Sequence, residues 1–325
     1  MDGFFALALT NLGSPLILSF VLGVFAALAR SDLSFPEAAA KALSIYLLFA
    51  IGFKGGVAVA EHGVDTTLAL ALLAGILMSF GLPVIAFGLL RVMSRLDRTN
   101  AAAVAAHYGS ISIVTFVAGT SVLEAAGITA EGYMVAVAAA MEAPAILSAL
   151  WLITRGGSET QMDGELWREI LLNGSIVLLV GSFFIGGITG TEGLEQISAF
   201  IVSPFQGALC LFLLDMGLVA GRGMRENRAL LTPGLLSFGI LMPIIGAAIG
   251  AGLGVVIGLS TGGVTLMMVL AASASYIAVP AAMRVAVPEA DPGIYLTLSL
   301  GVTFPFNLTV GLPIYLGVAR ALTGG

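Results

Sequence analysis

Apolar blocks of about 20 residues recur along the chain, separated by short polar stretches. A helix of this length is what crosses the roughly 30 Å hydrocarbon core of a bilayer. Inside that core every backbone N–H and C=O group must find a partner within the protein, which restricts the fold to helices or closed barrels. Since hydrophobic residues make up 58% of the chain and charged residues 10%, the sequence predicts an all-α integral membrane protein.

These blocks predict about ten membrane spans joined by short connections, with no soluble domain. They cover residues 12–29, 42–61, 66–90, 100–123, 131–153, 168–189, 197–220, 229–257, 262–284 and 293–320. The longest polar connection, residues 155–169, separates two groups of five spans and is typical of a linker. We therefore expect two five-span halves, residues 1–157 and 158–325.

The basic residues predict the orientation of the spans, because Lys and Arg near span ends are retained on the cytoplasmic side. They cluster in alternate connections, at Arg30 and Lys41, at Arg91, Arg95 and Arg98, at Arg155 and Arg168, at Arg222, Arg225 and Arg228, and at Arg284. The other connections carry acidic residues, and Arg320 is the one basic exception. This bias predicts a multi-pass protein with both termini outside. The two halves then enter the membrane from opposite sides, as inverted repeats do.

Weak internal similarity also favours a duplication. The segment "LLFAIGFKGG" at 47–56 lies over "FLLDMGLVAG" at 212–221, which aligns Gly52 with Gly217 and Gly56 with Gly221. At nearly the same offset Pro83 meets Pro243, Ser110 meets Ser273, Ser112 meets Ser275, and Pro144 meets Pro305. Matches at one offset in corresponding spans predict an internal repeat.

Polar residues interrupt the fourth and ninth spans at these matching positions. The fourth contains "AAHYGSISIVTF", with Gly109, Ser110 and Ser112 in mid-span, and the ninth contains Ser273 and Ser275 ahead of Pro280. A proline at the first position of a helix needs no N–H donor, so we expect Pro280 to open a second half-helix. The alternative is that small residues and a proline merely serve close helix packing and a kink. Two interruptions in matching places favour crossed discontinuous helices, as in secondary transporters.

The interrupted spans predict the ligands of an ion site at the membrane midplane. Helix N-termini present free N–H groups and a positive dipole end, which suits a small anion. We expect this anion to contact Gly109, Ser110, Ser112, Ser273 and Ser275. A cation would use carbonyl groups freed at the breaks together with Thr115, Glu142, Tyr276, Thr303 and Asn307. For Glu142 the alternative is a structural hydrogen bond to a neighbouring helix.

Two further charged residues lie inside predicted spans, where charge is costly and usually paired. Lys54 and Asp215 occupy corresponding helices of the two halves, about one turn apart in the repeat alignment. We expect them to form a charge pair across a gate. The alternative is that Lys54 extends outward to the membrane surface.

The sequence resembles the SbtA-type sodium-dependent bicarbonate transporter family. The resemblance covers almost the whole chain and rests on "AIGFKGG", "YGSIS...TFVAGTSVLEAAGI", "MEAPAIL", "AASASYIAVPAAMRVAVPEADPGIY" and "GLPIYLGVARAL". It implies a gate domain of spans 1, 2, 6 and 7 and a core domain of spans 3–5 and 8–10, commonly assembled as a homotrimer. It also implies sodium-driven uptake of bicarbonate across the inner (plasma) membrane of the cell, with sodium as the coupling ion. A soluble regulatory protein is implied as a further partner.

Departures from the family pattern leave a second function open. Cyanobacterial members carry aspartate where this chain has Tyr276 and again where it has Glu142, and a small polar residue where it has Lys54. A cation/proton antiporter, or a carrier of another small carboxylate or anion on the same fold, is therefore the alternative. We expect no enzymatic activity, no organic cofactor and no transition metal, because no nucleophile–base pair, phosphate-binding motif or metal-ligand cluster occurs. Nucleic-acid binding is not expected either, since there is no basic face.

Overall fold

The computed structural model describes residues 13–63, 65–154, 168, 172 and 174–324, and all regular secondary structure within these residues is helical. In chain order the helices are α1 (Pro15–Leu28), α2 (Glu37–His62), α3 (Thr66–Met93), α4 (Arg98–His107), α5 (Ile113–Ala125), α6 (Met134–Ala140), α7 (Glu142–Thr154), α8 (Gly174–Ile201), α9 (Phe205–Glu226), α10 (Pro233–Ile257), α11 (Thr261–Ala272), α12 (Ala278–Ala286) and α13 (Pro292–Thr323). The start of the first predicted span, most of the predicted linker at 155–169 and the side chain of Arg284 lie outside the described residues.

Seven helical segments in the described part are long and apolar enough to cross a bilayer. They are Glu37–Glu61, Thr66–Met93, Met134–Ile153, Ile176–Ile201, Phe205–Glu226, Pro233–Ile257 and Pro292–Thr323. Three shorter apolar helices, α1, α5 and α11, coincide with parts of predicted spans to within two residues. Large apolar side chains such as Phe25, Leu77 and Ile188 are exposed, as expected for surfaces that face lipid. The prediction of an integral membrane helical protein is confirmed.

Several helices begin where the sequence supplies a polar N-cap. The side chains of Asp65, Asp97 and Ser112 accept hydrogen bonds from backbone N–H groups in the first turns of α3, α4 and α5. Such a cap satisfies one of the N–H groups that have no partner inside the helix. The start of α5 is therefore encoded locally by Ser112, although it lies in the middle of the predicted fourth span.

The helices α1, α2, α8 and α9 pack as two close pairs through glycine. In the α1–α9 pair, Gly23 lies against the backbone of Leu214, and Gly217 lies against the backbone of Phe20. The same arrangement holds α2 against α8. Without a side chain, glycine allows two helix backbones to approach closely, which favours association inside a membrane. We call these four helices the gate bundle.

In the α2–α8 pair, Gly56 packs on the carbonyl of Phe183 and Gly186 packs on the carbonyl of Phe53. A Cβ atom at either glycine would overlap these backbone atoms. The glycine Gly190 in α8 has a φ of 60°, where the helix bends sharply. This bend falls at the end of the predicted sixth span, residues 168–189.

The remaining helices, α3–α7 and α10–α13, form a second group, here called the core bundle. Residues Ala101–His107 of α4 and Gly262–Ala272 of α11 are buried on every face. Protein therefore surrounds these two helices, and protein can satisfy the backbone groups exposed where they end. The last helix, α13, contains two π-helical segments, Ser299–Thr303 and Asn307–Gly311, on either side of Phe304–Phe306.

Candidate ion-binding site at the crossing of two broken helices

The fourth and ninth predicted spans are both interrupted, and the two interruptions touch. Residues 108–112 separate α4 from α5, and residues 273–277 separate α11 from α12. The Ser112 backbone N–H donates to the Ser273 hydroxyl at 2.9 Å. In the reverse direction, the Ser275 backbone N–H donates to the His107 carbonyl at 2.7 Å. These two buried hydrogen bonds fix the breaks against each other.

The first turn of α5 places Ser112 and Thr115 at the crossing. The Ser112 hydroxyl accepts from the Thr115 backbone N–H at 3.2 Å and from the Thr115 hydroxyl at 2.9 Å. The N–H groups of Ile113 and Val114 lie in the first turn of α5, where a helix has no carbonyl of its own to accept from them. Neither group makes a hydrogen bond to another described element. The N-terminus of α5 therefore offers two free backbone donors.

In the ninth predicted span, the half-helix that follows the break is α12. It begins at Ala278 rather than at Pro280. The prediction that Pro280 opens this helix is wrong by two residues: proline occupies the third position. Its missing N–H still costs nothing there, because the first turn of a helix has no internal acceptors. The N–H groups of Ala278 and Val279 are left at the helix start, and neither bonds to another described element. A second pair of free donors thus lies at the crossing.

A small cavity separates the crossing from the gate bundle; we call it the crossing cavity. It is lined by Leu48, Ile111, Ser112, Ile113, Glu142, Ile176, Leu179, Ser275, Tyr276, Ile277 and Ala278. Its volume is about 10 Å³, roughly the space for one water molecule. The core bundle supplies all of its polar groups, and Leu48, Ile176 and Leu179 close it with an apolar wall from the gate bundle.

The carboxyl group of Glu142 reaches this cavity from the start of α7. The Ser110 hydroxyl donates to Glu142 Oε2 at 2.7 Å, a length typical of a hydrogen bond to a carboxylate. Glu142 is 7% exposed, and no basic side chain lines the cavity with it. The neighbouring Met141 carbonyl, at the junction of α6 and α7, accepts from the Ser79 hydroxyl at 2.5 Å. Glu142 is therefore the one formal charge on the cavity wall.

Tyr276 places a phenol beside the same cavity. Its ring packs edge-on against Phe304, with the ring centroids 5.6 Å apart. The hydroxyl lies close to the Ser112 side chain but forms no hydrogen bond of normal geometry with any described residue. A buried polar atom without a partner is rare in native proteins and often marks a functional position. The Tyr276 oxygen is thus available to a ligand.

Thr303 and Asn307 lie behind the crossing and already have protein partners. Thr303 donates to the Gly239 carbonyl at 2.7 Å and shares a hydrogen bond with the Tyr108 hydroxyl at 2.7 Å. The Asn307 amide nitrogen donates to the Ala272 carbonyl at 2.8 Å. This bond satisfies the last carbonyl of α11.

The oxygen of Asn307 accepts from the Tyr315 hydroxyl at 2.7 Å. One of the two lone pairs of this oxygen is therefore already used within the protein. Of the five residues predicted to bind the cation, Glu142 and Tyr276 line the crossing cavity, and Thr115 bonds to Ser112 at its edge.

Gly109 has a packing role that explains its lack of a side chain. A Cβ atom there would overlap the ring of Pro83 in α3. Its backbone N–H is directed to the Ala106 carbonyl at 3.4 Å, so it is not among the free donors. Of the five residues predicted to contact the anion, Ser112 and Ser275 line the crossing cavity, while Ser110 and Ser273 hydrogen-bond to residues that do.

The predicted pairing of Lys54 with Asp215 is wrong. The Lys54 ammonium lies 3.4 Å from Glu124 Oε1 and 5.1 Å from the ring centroid of Phe205, the first residue of α9. Asp215 follows ten residues later in α9, about 15 Å along the helix at 1.5 Å per residue. Lys54 therefore extends toward the end of the gate bundle at which α9 begins, and Asp215 stays buried near Arg222.

A larger cavity opens between the two bundles around Lys54. We call it the outer cavity, since the charge bias of the sequence predicts that this side faces the exterior. Its volume is about 470 Å³, and its wall includes Lys54, Glu124, Phe116 and Ile51. Phe116 lies one turn beyond Ser112 on α5, and Ile51 lies one turn beyond Leu48 on α2. The floor of the outer cavity is thus about one helical turn, roughly 5 Å, from the crossing cavity.

Sequence reasoning missed the apolar half of the site. Leu48, Ile176 and Leu179 look like any other membrane-facing residues, and only the packing of the two bundles places them over the crossing. It also missed the carbonyl of His107, which holds Ser275 in place. A backbone group leaves no trace in the residue type, so the sequence contained no signal for it.

Comparison with known proteins supplies the family. A search among curated proteins found no significant match. The family model of the Na+-dependent bicarbonate transporter superfamily, however, matches residues 15–320. This range contains both breaks, Glu142, Tyr276 and the outer cavity. The chain belongs to the Na+-dependent bicarbonate transporter superfamily.

Proposed function

We propose that this protein takes up bicarbonate, or a similar small anion, by sodium-coupled alternating access. One observation carries the proposal: the carboxyl group of Glu142 lines the same small cavity as the N-terminal ends of α5 and α12. These helix ends attract an anion, whereas the ionised carboxylate repels it. The two can act together when a cation balances the carboxylate.

The anion would bind to the free N–H groups at the two helix starts. Ile113 and Val114 supply one pair, Ala278 and Val279 supply the other, and the hydroxyls of Ser112 and Ser275 lie beside them. Backbone donors and positive dipole ends suit a small oxyanion without requiring a basic side chain. This arrangement explains how an anion could bind where no Lys or Arg lines the cavity.

Sodium would bind between Glu142 and the hydroxyl oxygens around it. Hard cations prefer carboxylate, hydroxyl and carbonyl oxygens, and Ser110, Ser112 and Tyr276 supply hydroxyls next to the Glu142 carboxyl. A bound cation neutralises the carboxylate and removes its repulsion of the anion. Each ion therefore favours binding of the other, which is the thermodynamic basis of symport.

An inverted repeat of ten spans accounts for the packing of the helices. If each broken pair counts as one span, α1, α2, α8 and α9 are spans 1, 2, 6 and 7. When the two halves are exchanged, span 2 corresponds to span 7 and span 6 corresponds to span 1. The contact between spans 2 and 6 therefore corresponds to the contact between spans 7 and 1. These two contacts are the glycine-packed pairs α2–α8 and α9–α1. The crossing pair, spans 4 and 9, is exchanged with itself. We propose that residues 1–157 and 158–325 are the two repeats, with the gate bundle and the core bundle as the two moving bodies.

The two cavities support alternating access. The outer cavity reaches to within about one turn of the crossing cavity, and the gate bundle covers the crossing with apolar side chains. Movement of the core bundle against this wall would expose the bound ions to one side at a time. We also propose a plasma-membrane location, from the family, and an orientation with both termini outside, from the charge bias. The homotrimer and the soluble regulator implied by the family stay proposals.

Uptake into proteoliposomes tests this function against the alternatives. We expect labelled bicarbonate to enter when sodium is higher outside and to stop when potassium replaces sodium. Formate and nitrate as competitors would then show how selective the anion site is. Exchange of a cation for protons without bicarbonate would support the antiporter instead. Bicarbonate entry independent of sodium would contradict the coupling.

Lys54 should assist entry of the anion without contributing much stability. It is the one basic residue on the wall of the outer cavity, and its ion pair with Glu124 is partly exposed, with side chains 33% and 54% accessible. Such pairs contribute about 0–1 kcal/mol, and their effects on association fall with salt. We expect Lys54→Gln to leave the melting temperature within about 2 °C and to raise the KM for the anion at low ionic strength.

The matched control for Lys54→Gln is Lys41→Gln. It removes the same charge from an exposed residue at the end of the gate bundle opposite to the outer cavity. Initial uptake rates should be measured at two ionic strengths. Equal KM values for Lys54→Gln and Lys41→Gln at low salt would contradict a role for Lys54 in attracting the anion.

A further inference from the structure

Three arginines converge on a cavity at the end of the gate bundle opposite to the outer cavity. The cavity has a volume of about 360 Å³ and is lined by Ala27, Arg30, Ser31, Arg222 and Arg225. No acidic residue is among these five. The charge bias of the connections places this end on the cytoplasmic side. A bias toward the cytoplasm accounts for basic residues on this side of the membrane, but not for three of them around one cavity.

The backbone at Arg30 is unusual. Arg30 has a φ of 59° and is the one non-glycine residue with positive φ in the described part of the chain. It ends α1 in a Schellman motif, in which Ser31 N–H bonds to the Ala26 carbonyl at 2.9 Å and Arg30 N–H bonds to the Ala27 carbonyl at 3.2 Å. Glycine is the usual residue at this position because a Cβ atom makes the conformation costly. Retention of a strained residue is a reason to look for a function of its side chain.

The other two arginines are held in place by backbone carbonyls. Arg222 donates to the Leu33 carbonyl at 2.9 Å, and Arg225 donates to the Ala27 carbonyl at 2.8 Å. Arg225 also contacts Glu226 at 3.6 Å, and Arg222 lies close enough to Asp215 to interact electrostatically. Each guanidinium has five N–H donors, so both retain donors for a ligand. The side chain of Arg30 has no hydrogen bond to any described residue.

We propose that this cavity binds a phosphate group. Several planar guanidinium groups around one space suit a tetrahedral phosphate, since each can bond two of its oxygens. Three guanidinium groups can thus approach the phosphate oxygens from different sides. A bound phosphate would join the end of α1 to α9 within the gate bundle. The phosphate could belong to a lipid headgroup or to a soluble molecule.

Thermal unfolding of the full-length protein in neutral detergent tests this site without any transport assay. One arm adds inorganic phosphate, with chloride at matched ionic strength as reference. The other arm adds phosphatidylglycerol, with phosphatidylcholine as reference. At saturation we expect the melting temperature to rise by roughly 2–4 °C. A response to phosphate identifies a soluble ligand, and a response to phosphatidylglycerol alone identifies a lipid headgroup.

The informative variant is Arg30→Gly, because glycine fits the backbone at this position and should preserve the fold. We expect it to melt at the same temperature as the wild type or higher without ligand, and to lose the ligand-dependent rise. Arg95→Gln removes the same charge from an exposed connection of the core bundle and should keep the rise. No rise in either arm, or an unchanged rise in Arg30→Gly, would overturn the proposal. The result does not depend on sodium or bicarbonate, so it stands or fails separately from the proposed transport.

Discussion

Replacement of Glu142 by glutamine should abolish sodium-coupled uptake while the protein still folds. Glutamine has nearly the same shape and can still accept a hydrogen bond from Ser110, which donates to Glu142 at 2.7 Å. It removes the one formal charge on the wall of the crossing cavity. A hydrogen bond or contact to a charged group contributes on the order of 2 kcal/mol, so sodium affinity should fall by at least about 30-fold.

Two measurements together check this expectation. Sodium-dependent uptake in proteoliposomes reports transport, and the rise in melting temperature on addition of sodium reports binding. The control is Glu195→Gln, since Glu195 is exposed at the far end of α8, and both measurements should match the wild type there. If Glu142→Gln showed a wild-type dependence on sodium in both, Glu142 would be a structural hydrogen-bond acceptor and the coupling proposal would fail.

Replacement of Gly56 by alanine should strongly destabilise the gate bundle. The new Cβ atom would overlap the Phe183 carbonyl and approach the Gly187 backbone nitrogen at 2.7 Å. These are backbone atoms of a packed helix, so they cannot rotate away as a flexible side chain could. Overpacking of this kind costs about 1–3 kcal/mol or more.

The measurement is the melting temperature in detergent, together with the monodisperse fraction on size-exclusion chromatography. We expect a fall of roughly 5 °C or more for Gly56→Ala. Gly81→Ala is the matched control, because a Cβ atom at Gly81 meets nothing within 4 Å. Alanine should leave that helix unchanged or slightly more stable. Equal melting temperatures for the two variants would show that α2 and α8 are not in close contact.

The glycine packing shows how far sequence alignment could go. The alignment of Gly56 with Gly221, made from ten-residue segments, predicted that these positions are equivalent. The structure puts both at helix contacts in the gate bundle, Gly56 on α8 and Gly221 on the α1 residues Val24 and Ala27. The partner helices could not be predicted, because they come from the opposite half of the chain and no local pattern encodes that choice.

The two charged residues show a different limit. Lys54 and Asp215 were both correctly predicted as charges within apolar helices, and opposite charges in a membrane are expected to pair. The helix register instead places Lys54 beside Phe205 and Glu124. The charge of a residue can be read directly from the sequence. The distance between two charged residues instead depends on how their helices are shifted along each other in the fold.

The sequence by itself determined the solvent, the helices and the two breaks. Apolar length requires helices in a bilayer, and serine and proline in mid-span interrupt them, so the two breaks could be located from residue type alone. The tertiary structure decided what the breaks do. It joined Ser112 to Ser273 and His107 to Ser275, placed Glu142 on the same cavity wall as the first residues of α5 and α12, and covered this wall with Leu48. Which backbone donors stay free, and which distant residues meet, depends on the packing of the whole chain, so only the folded chain reveals them.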